Sequence, residues 1–165
     1  MTNQNKNKRN YEAGYYTATR LLGRRPHSRL ELAQKLRQRG YPDTIIEKVL
    51  GDCEAHHFID DAATCDSYCR ELIRKGFGPG MIRRRLAGRG IEGSLIESVL
   101  ETRYPQDVIR ATARAVAARK RDQLEARFSE KGAISARLTR FLTQRGFPMD
   151  IIYAIIRDLI GDKTS

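Results

Sequence analysis

The chain reads as all-α, an elongated tandem array of three three-helix repeats, and three observations point there. A helix–elbow–helix pattern occurs three times, an amphipathic stretch stands upstream of each copy, and no segment keeps the period-two alternation that a strand needs. At 165 residues with 40% hydrophobic side chains, the chain is long enough for several small packed units.

The copies are ELAQKLRQRGYPDTIIEKVL from Glu31, MIRRRLAGRGIEGSLIESVL from Met81 and RLTRFLTQRGFPMDIIYAII from Arg137. Aligned on Gly40, Gly90 and Gly146, they keep Leu32, Ile82 and Leu138 eight residues before the glycine and Leu36, Leu86 and Leu142 four before it. Tyr41, Ile91 and Phe147 follow directly. The pairs Ile45–Ile46, Leu95–Ile96 and Ile151–Ile152 come next, then Val49–Leu50, Val99–Leu100 and Ile155–Ile156. Apolar residues four apart share one face of a short helix, and the later pairs form the stripe of a second. Glycine between them supplies the left-handed conformation that ends a helix without a Cβ penalty.

The elements follow in order. Residues 1–10 form a loose basic tail containing Lys6, Lys8 and Arg9. The first repeat, residues 11–50, opens with a helix whose stripe is Tyr15, Ala18, Leu21 and Leu22. Ser28 followed by Glu31 is a capping box for its second helix. Pro42 fits the first turn of the third, where its missing N–H costs nothing, and Pro148 does the same in the last repeat. In the second repeat, residues 57–100, Asp60 or Asp61 starts a helix carrying Ala62, Cys65, Cys69, Leu72 and Ile73 and ending near Gly76. The third repeat, residues 107–160, opens with a longer helix whose stripe is Val108, Ala111, Ala115 and Ala118, extended by Leu124 and Phe128. The joints fall around Gly51–Asp52 and Tyr104–Pro105. Units this small bury little surface alone, so neighbours pack on one another or on a partner.

With 31 Lys and Arg against 20 Asp and Glu, the formal charge is +11, which favours a polyanionic or acidic partner. Residues 1–50 hold 11 basic and 4 acidic side chains, residues 51–100 hold 7 and 8, and residues 101–165 hold 13 and 8. No apolar run is long enough to span a membrane, and the basic N-terminus lacks the apolar stretch of a signal peptide. Three cysteines make no disulfide framework, so a reducing, cytoplasmic setting is expected.

Catalytic chemistry is not visible. Cys65 with Cys69, Cys53 with His57, and His56 do not complete a tetrahedral ligand set, and buried small cysteines explain them better. Asp60, Asp61 and Asp66 lie on one helix start, where capping outweighs a two-metal site. His27 has no nucleophile or relay partner. The run Gly76–Gly80 is flanked by helices rather than by a strand, so it is a tight turn and not a dinucleotide loop. No metal and no cofactor are expected.

What recurs is arginine. Lys35, Arg37 and Arg39 decorate the first repeat, Arg83, Arg84, Arg85 and Arg89 the second, and Arg137, Arg140 and Arg145 the third. The guanidinium fork engages two oxygens of a phosphate or carboxylate at once. The plainer alternatives are a solvated cationic face and, for Arg39, Arg89 and Arg145, contacts to the last carbonyls of the helices they follow.

These residues resemble the bacterial RecX regulatory proteins. The central stretch carries the paired Asp60 and Asp61, the turn Lys75–Pro79, then Ile82, Leu86, Gly90 and Ile91. The opening HSRLELAQKLRQRG and the close FSEKGAISARLTRFLTQRGFPMDII are similar to the family's first and last units, so the resemblance covers about residues 15–160. Two positions depart from its pattern: Ala62–Ala63 replace an aromatic, and Leu72 replaces an arginine. The resemblance implies a cytoplasmic, non-catalytic regulator of RecA, the recombinase that coats single-stranded DNA. It implies a chain that lies in the groove of the RecA–DNA filament and mainly inhibits recombinase, ATPase and coprotease activities. The expected contacts to filament or nucleic acid are Arg24, Arg25, Lys35, Arg37, Lys75, Arg83, Arg84, Arg85, Arg89, Arg137 and Arg140. A monomer is expected, with a weak direct DNA contact besides the filament. The rival reading is a stand-alone helical nucleic-acid-binding protein.

Overall fold

The computed structural model describes residues 3–161. Among them lie nine helices and no strand: α1 (Asn3–Leu22), α2 (Arg29–Arg37), α3 (Asp43–Ala55), α4 (Asp61–Arg74), α5 (Pro79–Ala87), α6 (Gly93–Arg103), α7 (Gln106–Glu125), α8 (Lys131–Gln144) and α9 (Met149–Ile160). The extensive helix–helix packing runs within the triplets α1–α3, α4–α6 and α7–α9. The accessible surface is 10443 Å², against roughly 8,300 Å² for a compact monomer of this mass, so the array is elongated.

The three elbows share one backbone. Gly40, Gly90 and Gly146 have φ of 82°, 74° and 82°. The next residue's N–H reaches back to Leu36, Leu86 or Leu142, which closes the helix end. Ile91 and Phe147 are buried in their elbows, while Tyr41 is half-buried and its hydroxyl meets Thr17 Oγ1 at 3.0 Å. The Ser28–Glu31 capping box is formed in both directions, and Asp60 caps α4 by accepting from Ala63 N. Pro42 and Pro148 stand one residue earlier than expected, as N-caps of α3 and α9.

Three other expectations are corrected. Helix α1 starts at Asn3 in place of a loose tail over residues 1–10, because no Gly or Pro interrupts the chain before Gly14. Met1, Thr2 and the side chains of Lys6, Lys8 and Arg9 lie outside the described residues. Gly51 and Asp52 sit inside α3, and the first joint falls later, where His57 turns to φ 55°. The buried stripe of α7 is Ile109, Ala113, Ala117 and Leu124, while Ala111 and Ala115 are exposed. Alanine stands on both faces there, and the bulk of Ile109 sets which face turns inward.

The cores do not match the repeats one to one. Repeat 1 has its own cluster around Leu32, Ile46, Leu50 and Cys53. Repeats 2 and 3 share a single cluster from Cys69, Ile82 and Leu86 through Tyr104 to Leu142 and Ile152. Beyond it, Leu124, Ile134 and Leu138 form a small end core against Phe128 and Ile160.

Candidate functional site

Each junction is made in the same way: the segment leading into the second helix of one repeat sits on the Arg–Gly elbow of the next. At the 2–3 junction, Gly78 N–H donates to Arg145 O at 2.8 Å and Gly80 N–H to Gly146 O at 3.0 Å. Arg145 Nη1 returns two bonds of 2.9 Å to Lys75 O and Gly76 O. A Cβ on Gly78 would lie 2.5 Å from Gly146 O, so the approach requires glycine. The Gly76–Gly80 turn is thus an inter-repeat clasp.

The 1–2 junction uses charge instead. Arg89 Nη1 donates to Glu31 Oε1 at 2.7 Å, and Arg25 Nη1 contacts Glu31 Oε2 at 3.3 Å and donates to Tyr68 Oη at 2.6 Å. Ser28 Oγ donates to Arg89 O, and Arg29 N–H donates to Asp61 Oδ1 at 3.0 Å. Burial pushes the Glu31 carboxyl up, but its hydrogen bond from Arg25 and the charge of Arg89 hold it below the usual carboxylate range. His27 is buried beside this cluster with Nδ1 2.9 Å from Arg25 O, and burial lowers its pKa.

From this junction a run of cations and aromatic rings extends to the far end of the chain. The Arg89 guanidinium lies 3.6 Å over Tyr68. Arg85, one helical turn earlier, lies 4.1 Å over Phe77, whose ring also carries Arg145 at 5.1 Å. Arg145 is 4.8 Å over Phe141, which Lys120 approaches to 5.6 Å, and Arg137 is 4.0 Å over Phe128. Two open clefts of about 260 and 360 Å³ continue the run. The first is lined by Lys75, Val116, Arg119, Lys120, Gln123, Phe141 and Arg145. The second has Lys120, Gln123, Leu124, Ala126, Arg127, Phe128 and Arg137, so the two share Lys120 and Gln123. Among the described residues, no carboxylate lines either cleft. Cations packed on aromatic faces keep hydrogen-bond donors directed outward, a surface suited to phosphate or carboxylate oxygens.

The sequence candidates divide among several places. Arg85 and Arg137 lie on the run, as does Lys75, which also pairs with Glu71. Arg25 and Arg89 are spent largely on the 1–2 junction. Arg37 is held by Asp43 and Arg83 by a two-pronged pair with Glu97, both away from the clefts. Arg83, Arg84 and Arg85 therefore do not act as one cluster, since successive helical residues point about 100° apart. Arg24, Lys35, Arg84 and Arg140 have no carboxylate partner among the described residues, and Arg24, Arg84 and Arg140 are exposed.

Sequence reading missed Arg119, Lys120, Arg127 and the outward reach of Arg145. The Arg119–Lys120–Arg121 run is their signal in the sequence, on a helix whose alanines fit two faces equally well. Arg121 pairs with Asp122 and Glu125, whereas Arg119 and Arg127 have no partner among the described residues. Cys53, Cys65 and Cys69 are free and buried, and burial pushes the thiols of Cys53 and Cys69 up to about 11. Among the described residues no three His, Cys, Asp or Glu side chains converge as a metal would require. No described helix is long and apolar enough to cross a membrane.

Comparisons with known proteins give the same partition of the chain. Models of the first, second and third three-helix domains of RecX match residues 15–53, 60–100 and 107–156. The regulatory protein RecX of Legionella pneumophila (strain Corby) is 32% identical over 143 residues, covering 87% of this chain and 92% of that protein. That of Pseudomonas putida (strain GB-1) is 36% identical over 148 residues, with coverage of 87% and 90%. The crystal structure of RecX from Lactobacillus salivarius matches with a TM-score of 0.79 at 22% identity, over 92% of this chain and 97% of that one. It shares the fold.

Proposed function

Since this chain belongs to the RecX family of regulatory proteins, we propose that it acts, without catalysis of its own, on the RecA–single-stranded DNA filament. It lies along the filament, bridges successive subunits and restrains recombinase, ATPase and coprotease activity. The observation that supports this best is the cation–aromatic run through Arg85, Arg145, Lys120 and Arg137, whose two open clefts are lined by no carboxylate among the described residues. An elongated chain engaging several subunits gains avidity from modest individual contacts.

The test is reversal of three cleft charges, Arg119→Glu, Lys120→Glu and Arg127→Glu, in one chain. Filament affinity falls at least tenfold, with a thermal midpoint unchanged because none of the three holds a junction. An unchanged affinity in a folded variant contradicts the assignment. A stand-alone nucleic-acid-binding reading draws on the phenylalanines beside the cations, since single-stranded bases stack on such rings. It requires tight binding to naked DNA that weakens steeply with salt.

A further inference from the structure

The three Arg–Gly elbows have the same backbone but not the same surroundings. A Cβ on Gly90 would lie 2.5 Å from Leu30 Cβ of the preceding repeat, and one on Gly146 would lie 2.8 Å from Met81 Cβ. A Cβ on Gly40 would meet nothing within 4 Å among the described residues. The arginines repeat the contrast. Arg89 clasps Glu31 and Arg145 clasps the carbonyls of Lys75 and Gly76, each in the repeat before it. Arg39 meets no other repeat among the described residues and turns back on its own helix, donating to Lys35 O at 2.8 Å.

We infer that the Arg39–Gly40 elbow is a docking surface for a helix-entry segment of a partner protein, one presenting main-chain carbonyls or a carboxylate to Arg39. The two in-chain junctions define this occupant, because the same elbow is covered twice by such a segment and held by its arginine each time. A second copy of this chain does not supply it. The segments that cover Gly90 and Gly146 enter their helices at Ser28 and Gly78, twelve residues before their own elbow glycines. The equivalent residue of repeat 3 is Ile134, buried inside α8, which begins one turn earlier after Glu130. Among the described residues, repeat 3 presents no such entry segment and the repeat 1 elbow is uncovered.

This inference rests on the filament reading and names the protein of the filament as the partner. The experiment measures hydrogen exchange at residues 38–42 of the full chain, free and bound to RecA filaments on single-stranded DNA. It is paired with the filament affinities of Arg39→Glu and Arg39→Ala. The expected result is protection of the elbow on binding and at least a tenfold loss for Arg39→Glu, with unchanged thermal midpoints. Wild-type binding with an unprotected elbow, or Arg39→Glu binding as wild type, overturns the inference and leaves the filament reading standing. An equal loss on naked single-stranded DNA also overturns it, because the elbow then reads phosphate. Self-association that Arg39→Glu abolishes overturns it in favour of a second copy. Absence of any filament binding by the wild type ends both readings.

Discussion

His57 ends α3 with φ 55°, a left-handed conformation that glycine adopts freely and a Cβ disfavours. It is exposed, so His57→Gly removes strain and no packing. The substitution raises stability by about 0.5–1 kcal/mol, read as a thermal midpoint about 1–4 °C higher. Glu31 behaves differently because its charge joins two repeats. Its folded pKa lies below its ordinary value, so its contribution is fully present above pH of about 4.3 and fades as pH falls through the folded value. Glu31→Gln therefore loosens the 1–2 junction at neutral pH and flattens its response to acid below pH of about 4.3. Hydrogen exchange of the segments flanking Ser28 and Arg89 reads both effects, and a junction indifferent to the substitution contradicts the ion-cluster account. Sequence exposed Arg39, Arg89 and Arg145 as a recurring position. It could not separate their roles, because each role depends on what the preceding repeat places opposite.

Helices and elbows were the most legible level. The spacing of Leu32, Leu36, Ile45 and Ile46 and its two echoes dictates where short helices bury and where they stop. The register of α7 was not legible, since an alanine-rich helix offers two similar faces and the shared core of repeats 2 and 3 selects one. The glycines allow a sharper test of how elbows join elements. Gly40 and Gly146 have the same φ of 82°, so an alanine pays the same left-handed strain at each, about 1–2 kcal/mol. Only at Gly146 does the new methyl also meet Met81 and the Gly80 backbone. Gly146→Ala lowers the thermal midpoint more than Gly40→Ala, and comparable losses would show that the clasp is looser than the geometry implies.

Across the whole molecule, a pair of repeats with one shared core and the first repeat, joined to it by charge, carry a surface in which cations and rings alternate. Composition announced the basic balance, and the family resemblance supplies the partner proposed for it. Which arginines face outward together was decided by pairing: Glu97 and Asp43 withdraw Arg83 and Arg37, while Phe77, Phe141 and Phe128 hold Arg85, Arg145 and Arg137 on the open side. On the proposed function, this surface recognises an assembled filament more strongly than either of its components. The most direct measurement is the affinity of the intact chain for RecA filaments on single-stranded DNA, for the bare DNA and for free RecA, all at one salt concentration. Binding is expected to be tightest to the filament, by at least tenfold. Equal or tighter binding to bare DNA, with a steep loss as salt rises, would contradict it.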